Sequence, residues 1–526
     1  MPFPSRLPLS LVALLSLSLS TLAFARAPVA TDIGHRLELF IDNSLIEKST
    51  GTHLQLQKPV KREVVLVHDA PWEGNACGYH VVIRDGKKYQ MWYRGTHWDM
   101  ARKRLRLDFE LACYVESRDG IRWTRPKLGL VEFQGSRANN IFWTERMTRH
   151  AKGQKPAKMP LIPFIDLNPR TSRSERYKAV AGAMEAGLYG WTSPDGIHWK
   201  QIGHETIFRD PVYIDWTQSA FWDPNRKSYV AYLRDWWPGG IGGDGTGNVR
   251  AYRHITSDDF LQWSKPKRLR LSRELSRSEQ LYTNQIRPYY RAPHIYLGFP
   301  NRYSHGRSDD STNDGMFMTS RNGVDFHLWR ESIIRPGLQV DRWMTRNNMI
   351  ALGILETEAT EPGLPPELSI YSTEGYLGGA DGTAPSCRLR RHTYRMDGFV
   401  SMSAPPTGGE FTTRPFVFDG KHLVLNFSTS APGHVRVEIQ DASGKPIPGF
   451  TLKDSANVYG DSIEYAMRWK GQGGYTTDVS RLSGKPVRLR VVMKEADLFS
   501  FQFRDSDKPT WKHTGFAIPG TSVIRK

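Results

Sequence analysis

Ser117-Arg118-Asp119-Gly120-Ile121-Arg122-Trp123 recurs as Ser193-Pro194-Asp195-Gly196-Ile197-His198-Trp199. Weaker copies are Ser257-Asp258-Asp259-Phe260-Leu261-Gln262-Trp263 and Ser320-Arg321-Asn322-Gly323-Val324-Asp325-Phe326. The copies start at residues 117, 193, 257 and 320, so they lie 76, 64 and 63 residues apart. Each follows a Tyr-rich apolar run: 89–95, 177–182, 229–235 and 295–303. A fifth run, Glu367 to Tyr376, has no clear copy behind it. Recurrence at this spacing predicts repeated β-sheet units around a central channel, as in a propeller of five blades. The box has a structural job: Asp-Gly reverses the chain, and the closing aromatic ring packs between blades. None of its residues is offered as catalytic.

The flanking segments agree. Val81-Val82-Ile83 turns through Arg84-Asp85-Gly86 into Tyr89-Gln90-Met91-Trp92-Tyr93. Ala220-Phe221-Trp222 turns through Asp223-Pro224-Asn225 into Tyr229-Val230-Ala231-Tyr232-Leu233. Both read as hairpins. After Arg395 to Met402, short strands recur every ten or so residues: 416–418, 423–427, 435–439, 463–469, 487–493 and 498–503. That pattern predicts a β-sandwich. The chain is therefore expected to be all-β, with a leader at 1–25, a five-bladed propeller at 26–394 and a sandwich at 395–526. Residues 144–160, basic and Pro-containing, read as a surface insertion, and the Gly-rich run 239–245 as a loop.

Arg6 followed by the apolar run 9–22 and Ala23-Phe24-Ala25 reads as an export signal cut after Ala25. A secreted or periplasmic protein is expected, because the run is shorter than the roughly 20 residues a membrane span requires. With 526 residues, 39% hydrophobic, the chain is long enough for two or three domains with sizeable cores. The formal charge is +18, and loss of the leader, whose one charged residue is Arg6, leaves +17. Such a charge concentrates anions, and for an exported protein these are acidic or sulfated polysaccharides or a cell envelope. No nucleic-acid module is present, so no nucleic-acid partner is expected. The sequence does not set the oligomeric state. The three Cys exclude metal-finger spacings; Cys77 and Cys113 either pair, leaving Cys387, or serve as buried apolar thiols. The 16 His show no metal-binding spacing, although His80 and His294 fall in strand-rich regions near a channel.

Leu39-Phe40-Ile41-Asp42, Pro71-Trp72-Glu73-Gly74-Asn75, Tyr177-Lys178-Ala179-Val180, Ser193 to Trp199, Glu367-Leu368-Ser369-Ile370-Tyr371 and Asp397-Gly398-Phe399-Val400-Ser401 carry a family likeness. With the leader, propeller and sandwich, they resemble secreted glycoside hydrolases of families 32 and 43, and an uncharacterised family-32-like bacterial group. The resemblance implies a carbohydrate substrate from plants or algae and carboxylates drawn from several blades. It implies no cofactor; a structural calcium, seen in some relatives, has no legible signature. The family-32 nucleophile, Arg-Asp-Pro and Glu-Cys segments are not reproduced: Asp223-Pro224-Asn225 lacks the flanks, and Arg209-Asp210-Pro211 lies in the wrong blade. Fructan cleavage is therefore not implied.

Glycoside hydrolysis usually needs two carboxylates across the bond, one acidic and one nucleophilic or basic. Acids at the starts or ends of inner strands are the candidates: Glu73 before the first blade, Asp215 before the third and Glu374 in the last. Beside them, Trp72, Asn75 and Gln218 are natural sugar contacts, and Trp98 can form a stacking platform. Arg94, Asp166, Asn284, Gln285, Glu367 and Tyr376 stand in comparable places. Arg234 and Asp235 either bind substrate or form an internal ion pair. Two other readings are a carbohydrate-binding propeller without catalysis and a sialidase-like hydrolase, which requires Arg94, Arg234 and Arg287 to converge.

Overall fold

The computed structural model describes residues 30–99, 101–102, 104–105, 110–152, 155, 157, 160–183, 187–209, 218–238, 248–275, 279–307, 311–378 and 387–511. The leader at 1–25 and Asp215 lie outside the described residues. Among the described residues there is no α-helix, only 3-10 turns, and no helix long and apolar enough to cross a membrane.

Five sheets of four or five strands follow one another in sequence. Blade one runs outward as Gly78–Asp85, Lys88–Arg94, Leu111–Ser117 and Ile141–Thr144. Blade two is Ile162–Ile165, Tyr177–Ala183, Gly187–Ser193 and Lys200–Gln201. Blade three is Ser219–Asp223, Ser228–Pro238, Asn248–Ser257 and Lys267–Arg268. Blade four is Arg287–Tyr289, Ala292–Gly298, Met318–Ser320 and Asp325–Leu328, with Arg270–Leu271 parallel at its outer edge. Blade five is Leu355–Thr357, Glu367–Glu374 and Arg388–Arg395. Its outer strand, Val60–Val67, comes from the start of the domain and pairs from Arg388↔Val67 to Thr393↔Val60. That pairing joins the two ends of the ring. The first strands of blades one and two, two and three, three and four, and five and one touch, and Val81 bridges to Leu352, so the sheets surround one axis.

The repeated box explains the angle at which blades meet. In all four copies the Ser hydroxyl accepts a backbone N–H from the residue three places on, at 2.8–2.9 Å. The acidic or amide oxygen accepts two more, as Asp119 does from Ile121 and Arg122 at 2.8 Å. Gly120, Gly196 and Gly323 have φ of 75°, 80° and 65°, and Phe260 adopts 70° in the same place. This left-handed turn aims its carbonyl at the preceding blade. Gly120 accepts the Tyr371 hydroxyl at 2.6 Å, Gly196 the Trp92 indole at 2.7 Å, and Gly323 the Tyr232 hydroxyl at 2.8 Å. The expected ring between blades is thus a Tyr or Trp of the neighbouring sheet. The closing Trp199 and Trp263 cap their own turns, while Trp123 meets Tyr371 edge-on.

The second unit is a ten-stranded sheet. Runs read as separate strands are joined: His422–Asp441 and Val487–Arg504 are two long strands paired along their length. Their register shifts between Thr429 and His434, opposite Glu495 at φ 41°. The strands bend there and enclose one core, in which Phe418 stacks on Phe503 at 3.7 Å. The domain boundaries need a correction. Thr31–Gly34, Glu38–Leu39, Ile46–Thr50 and His53–Leu56, assigned to the propeller from sequence, pair with the C-terminal strands. Alternation explains their place: Phe40 enters the sandwich core, while Leu39 and Ile41 pack on Ile295, Leu297 and Leu368 of blades four and five. The three thiols are buried and free, so a Cys77–Cys113 bridge is absent. In the basic insertion, Thr148 and Ala157 are buried, so that segment is anchored rather than wholly superficial.

Glu38 joins the two units. It is buried, with Arg321 Nη1 at 2.8 Å, Arg36 Nη2 at 3.0 Å and the His294 ring 3.2 Å away. Burial pushes its carboxyl up, but His294 and Arg321 outweigh this and bring it down to about 2 from 4.5. A carboxyl lowered by folding contributes stability that is complete above its unfolded pKa and is lost as pH falls through its folded pKa. The window is therefore pH 4.5 to 2, and the contribution is on the order of 3 kcal/mol. Urea unfolding against pH is expected to show this loss, and Glu38→Gln to flatten it. Gly196→Ala is expected to cost about 1–3 kcal/mol, since the left-handed backbone resists a side chain and an added Cβ would lie 2.7 Å from Trp92. Gly86→Ala, also left-handed but with open space around it, is the control and should cost less in the same thermal melts.

Candidate functional site

The first strands converge on a narrow axial cavity of about 10 Å³, lined by Tyr79, His80, Ile162, Gln218, Thr283, Gln285 and Leu352. This is room for about one water, not a sugar. At the end of the axis where the first strands begin, the Tyr79 and Tyr282 hydroxyls lie 2.7 Å apart. Arg346 Nε donates to the Tyr282 hydroxyl at 3.1 Å and Nη1 to that of Tyr376 at 3.4 Å. Arg94 also reaches Tyr376 at 3.4 Å, and Glu110 holds Arg94 through two hydrogen bonds.

The guanidinium of Arg346 lies over the rings of Tyr282 and Tyr376 at 5.7 and 5.5 Å. Among the described residues no carboxylate pairs with it. Its backbone is left-handed at φ 57°, as is Asn348 at 58°. Strain of this kind persists only where surroundings enforce it. Here Asn313 accepts the Arg346 N–H at 2.6 Å, and Asn348 is held between Arg342 and the Asn313 carbonyl. Asn347 accepts the Tyr376 N–H at 3.0 Å, tying the loop to blade five.

The predicted residues separate into two groups. Arg94 and Tyr376 belong to this patch, Gln218 and Gln285 line the axis below it, and Trp98 packs on the cluster containing Tyr376, Cys77 and Cys387. Arg234 is buried beneath it, donating to the Leu281 and Tyr282 carbonyls. The others are occupied elsewhere. Glu73 has a fully covered side chain that accepts from Tyr93, from Arg125 at 2.9 Å and from the Ala70 N–H at 3.1 Å. Burial raises its carboxyl, but His68 and Arg125 outweigh this and bring it down to about 2. Glu374 is also fully covered, with Arg390 at 2.6 Å, Arg342 at 3.5 Å and Arg388 at 4.0 Å. Neither acid faces open space.

Trp72 donates to Asn140, and Asn75 clamps the Trp98 backbone. Asp166 is closed by Lys178, Thr171 and Tyr229, and Glu367 by Arg62 and Thr360. Asn284 accepts from Ser219, joining blades three and four. Arg234 and Asp235, adjacent in a strand, leave it on opposite faces; Asp235 pairs with Arg268 and accepts from Trp237. The three arginines required by a sialidase-like reading do not converge, because Arg287 lies at the far mouth of the axis among Val82, Ile165 and Leu297. No group of three or more His, Cys, Asp or Glu suited to a metal occurs among the described residues.

Tyr79, Tyr282, Glu110 and Arg346 were not among the residues singled out from sequence. The one available signal was Arg346-Asn347-Asn348, since Asn tolerates the left-handed backbone that presents a neighbour.

No family model matches the chain, and no curated protein matches it in sequence. Solved structures similar to it are glycoside hydrolases among others. One titled simply a glycoside hydrolase is 12% identical, covering 65% of this chain and 93% of that one at a TM-score of 0.44. A family 43 arabinoxylan arabinofuranohydrolase from Bacillus subtilis, in complex with cellotetraose, is 10% identical, covering 85% and 99% at 0.41. An N-acetylgalactosamine deacetylase from F. plautii is 11% identical, covering 65% and 96% at 0.39. At these identities and scores no residue's role is transferred.

Removing a buried acid strands its cationic partners, which costs about 3–5 kcal/mol. Glu73→Gln and Glu374→Gln are therefore expected to lower the urea unfolding free energy by that order. A pair of variants as stable as the parent would contradict the structural role assigned to them.

Proposed function

We propose that this chain is a carbohydrate-active propeller protein of the glycoside hydrolase kind, binding a sugar that carries a carboxylate or sulfate. The site is the axial patch of Tyr79, Tyr282, Tyr376, Arg94 and Arg346. The observation that carries the reading is Arg346: a part-buried guanidinium held in a strained loop against phenols, with no carboxylate partner among the described residues. A charge withdrawn from water is costly unless compensated, and an anionic ligand group supplies the missing partner. Guanidinium binds carboxylate and sulfate oxygens in a planar fork. Tyrosine rings offer apolar surface to a pyranose face and hydroxyls to its oxygens. The +18 charge of the whole chain favours encounter with acidic glycans, and the export signal puts the protein where such glycans occur.

Hydrolysis asks more than binding does. Glu73 and Glu374 are closed by arginines, so they are set aside as the reacting pair. Asp215 stands three residues before Gln218, which lines the axis; the hydrolytic reading takes it as one of the two carboxylates the reaction uses. Oligogalacturonates and neutral oligosaccharides of equal length separate the alternatives by calorimetry and reducing-end release. Arg346→Gln is expected to weaken acidic oligosaccharides at least tenfold and leave neutral ones unchanged. Asp215→Asn is expected to abolish release while preserving binding. Binding without release in the parent protein would favour the non-catalytic reading; equal affinity for acidic and neutral sugars would overturn the site.

A further inference from the structure

The far mouth of the propeller axis carries a second cation with no carboxylate partner among the described residues. Arg287 lies in the first strand of blade four, beyond Gln285 of the axial lining, and its Nη2 donates to the Pro163 carbonyl of blade two at 2.8 Å. Its Nε is buried without a hydrogen-bond partner, and no carboxylate pairs with it among the described residues. Burial, unopposed by any acid, lowers its pKa to about 10, so the group is charged at neutral pH.

Arg287 lines a cavity of about 490 Å³ whose walls include Val82, Ile165, Leu297, Phe299 and Ile354. This volume is within the range of small-molecule sites. Leu167 and Tyr290 stand exposed at the rim. Glu356 is the acid in the lining, and it is already engaged: Tyr290 donates to it at 2.9 Å and Arg84 at 3.4 Å. The cavity therefore combines an apolar wall, an open mouth and two guanidiniums: Arg84, which is paired with Glu356, and Arg287, which among the described residues has no carboxylate and keeps one donor, Nε, without a partner. Gln285 lines both this cavity and the axial one, donating to the Ile350 carbonyl between them.

We infer that this cavity binds a small organic acid with an apolar body, its carboxylate on Arg287 and its tail against Ile165, Leu297 and Phe299. A neutral ligand of the same shape would leave the guanidinium unpaired, and a small anion such as acetate would leave the apolar wall wet. The site is separate from the axial patch, and its argument does not depend on the sugar reading.

The test uses the full chain, with octanoate, 4-propylbenzoate, octan-1-ol and acetate as probes in calorimetry and thermal shift. Octanoate or 4-propylbenzoate is expected to bind at least tenfold more tightly than octan-1-ol and acetate; which of the two is tighter tells an alkyl from an aryl ligand. Arg287→Gln is expected to reduce the carboxylate affinity to that of the alcohol and leave acidic-sugar binding unchanged. Should Arg287→Gln fail to fold, Leu167→Glu places a like charge at the exposed rim. It is expected to weaken the carboxylates at least fivefold and spare octan-1-ol. Acids and alcohol binding alike, no binding of either acid, or carboxylate affinity unchanged in a folded variant would overturn the assignment.

Discussion

The propeller depends on one repeated contact: a left-handed turn whose carbonyl accepts a hydrogen bond from an aromatic side chain of the preceding blade. Gly120 with Tyr371, Gly196 with Trp92, and Gly323 with Tyr232 are three instances. Phe260 keeps the backbone but substitutes ring packing, lying 5.8 Å from Phe164. A buried carbonyl left without a donor is expensive, so each contact fixes the distance and angle between two sheets. Its partner in closure is Val60–Val67, which completes the last blade from the start of the ring. With sheet spacing set in this way, the first strands are crowded around the axis. The axial cavity is then too small for a sugar, and the larger openings proposed as binding sites lie at its two mouths.

Charge organises what the sheets leave behind. Most buried acids in this basic chain are matched by arginine: Glu38 by Arg321, Glu73 by Arg125, Glu374 by Arg390 and Arg342, Glu110 by Arg94. Such pairs contribute little net stability, yet they are costly to break. Among the described residues no carboxylate pairs with Arg346 or Arg287, which lie at opposite mouths of the same axis. The anionic ligands proposed for the two places would each supply a partner.

The propeller was legible because its signals are local. A box such as Ser193 to Trp199 carries its own turn chemistry, and the hairpin at Arg84-Asp85-Gly86 forms where it was read. Pairing across hundreds of residues was not legible. Nothing in Ile46 to Leu56 announces partners near residues 400–413, so the N-terminal strands were placed in the wrong unit. The long strand 422–441 was divided in two because its bend reads like a turn. In the site the same limit applies to charge. Glu73 and Glu374 look like candidate acids along the chain, and only the fold brings Arg125 and Arg390 onto them. Arg94, Gln218 and Tyr376 were placed near the axis because strand ends are readable. Arg346 was missed because what singles it out, phenols around it and no carboxylate among the described residues, appears only in the fold.

The claim that an unmatched guanidinium selects an acidic sugar is tested most directly by removing the charge from the ligand rather than from the protein. Titration calorimetry of the parent protein with an oligogalacturonate and its methyl ester, at low and high salt, makes that comparison. The account predicts at least tenfold tighter binding of the free acid, and a preference that persists at high salt because the pair is withdrawn from solvent. Equal affinity for acid and ester, or a preference that disappears with salt, would contradict it.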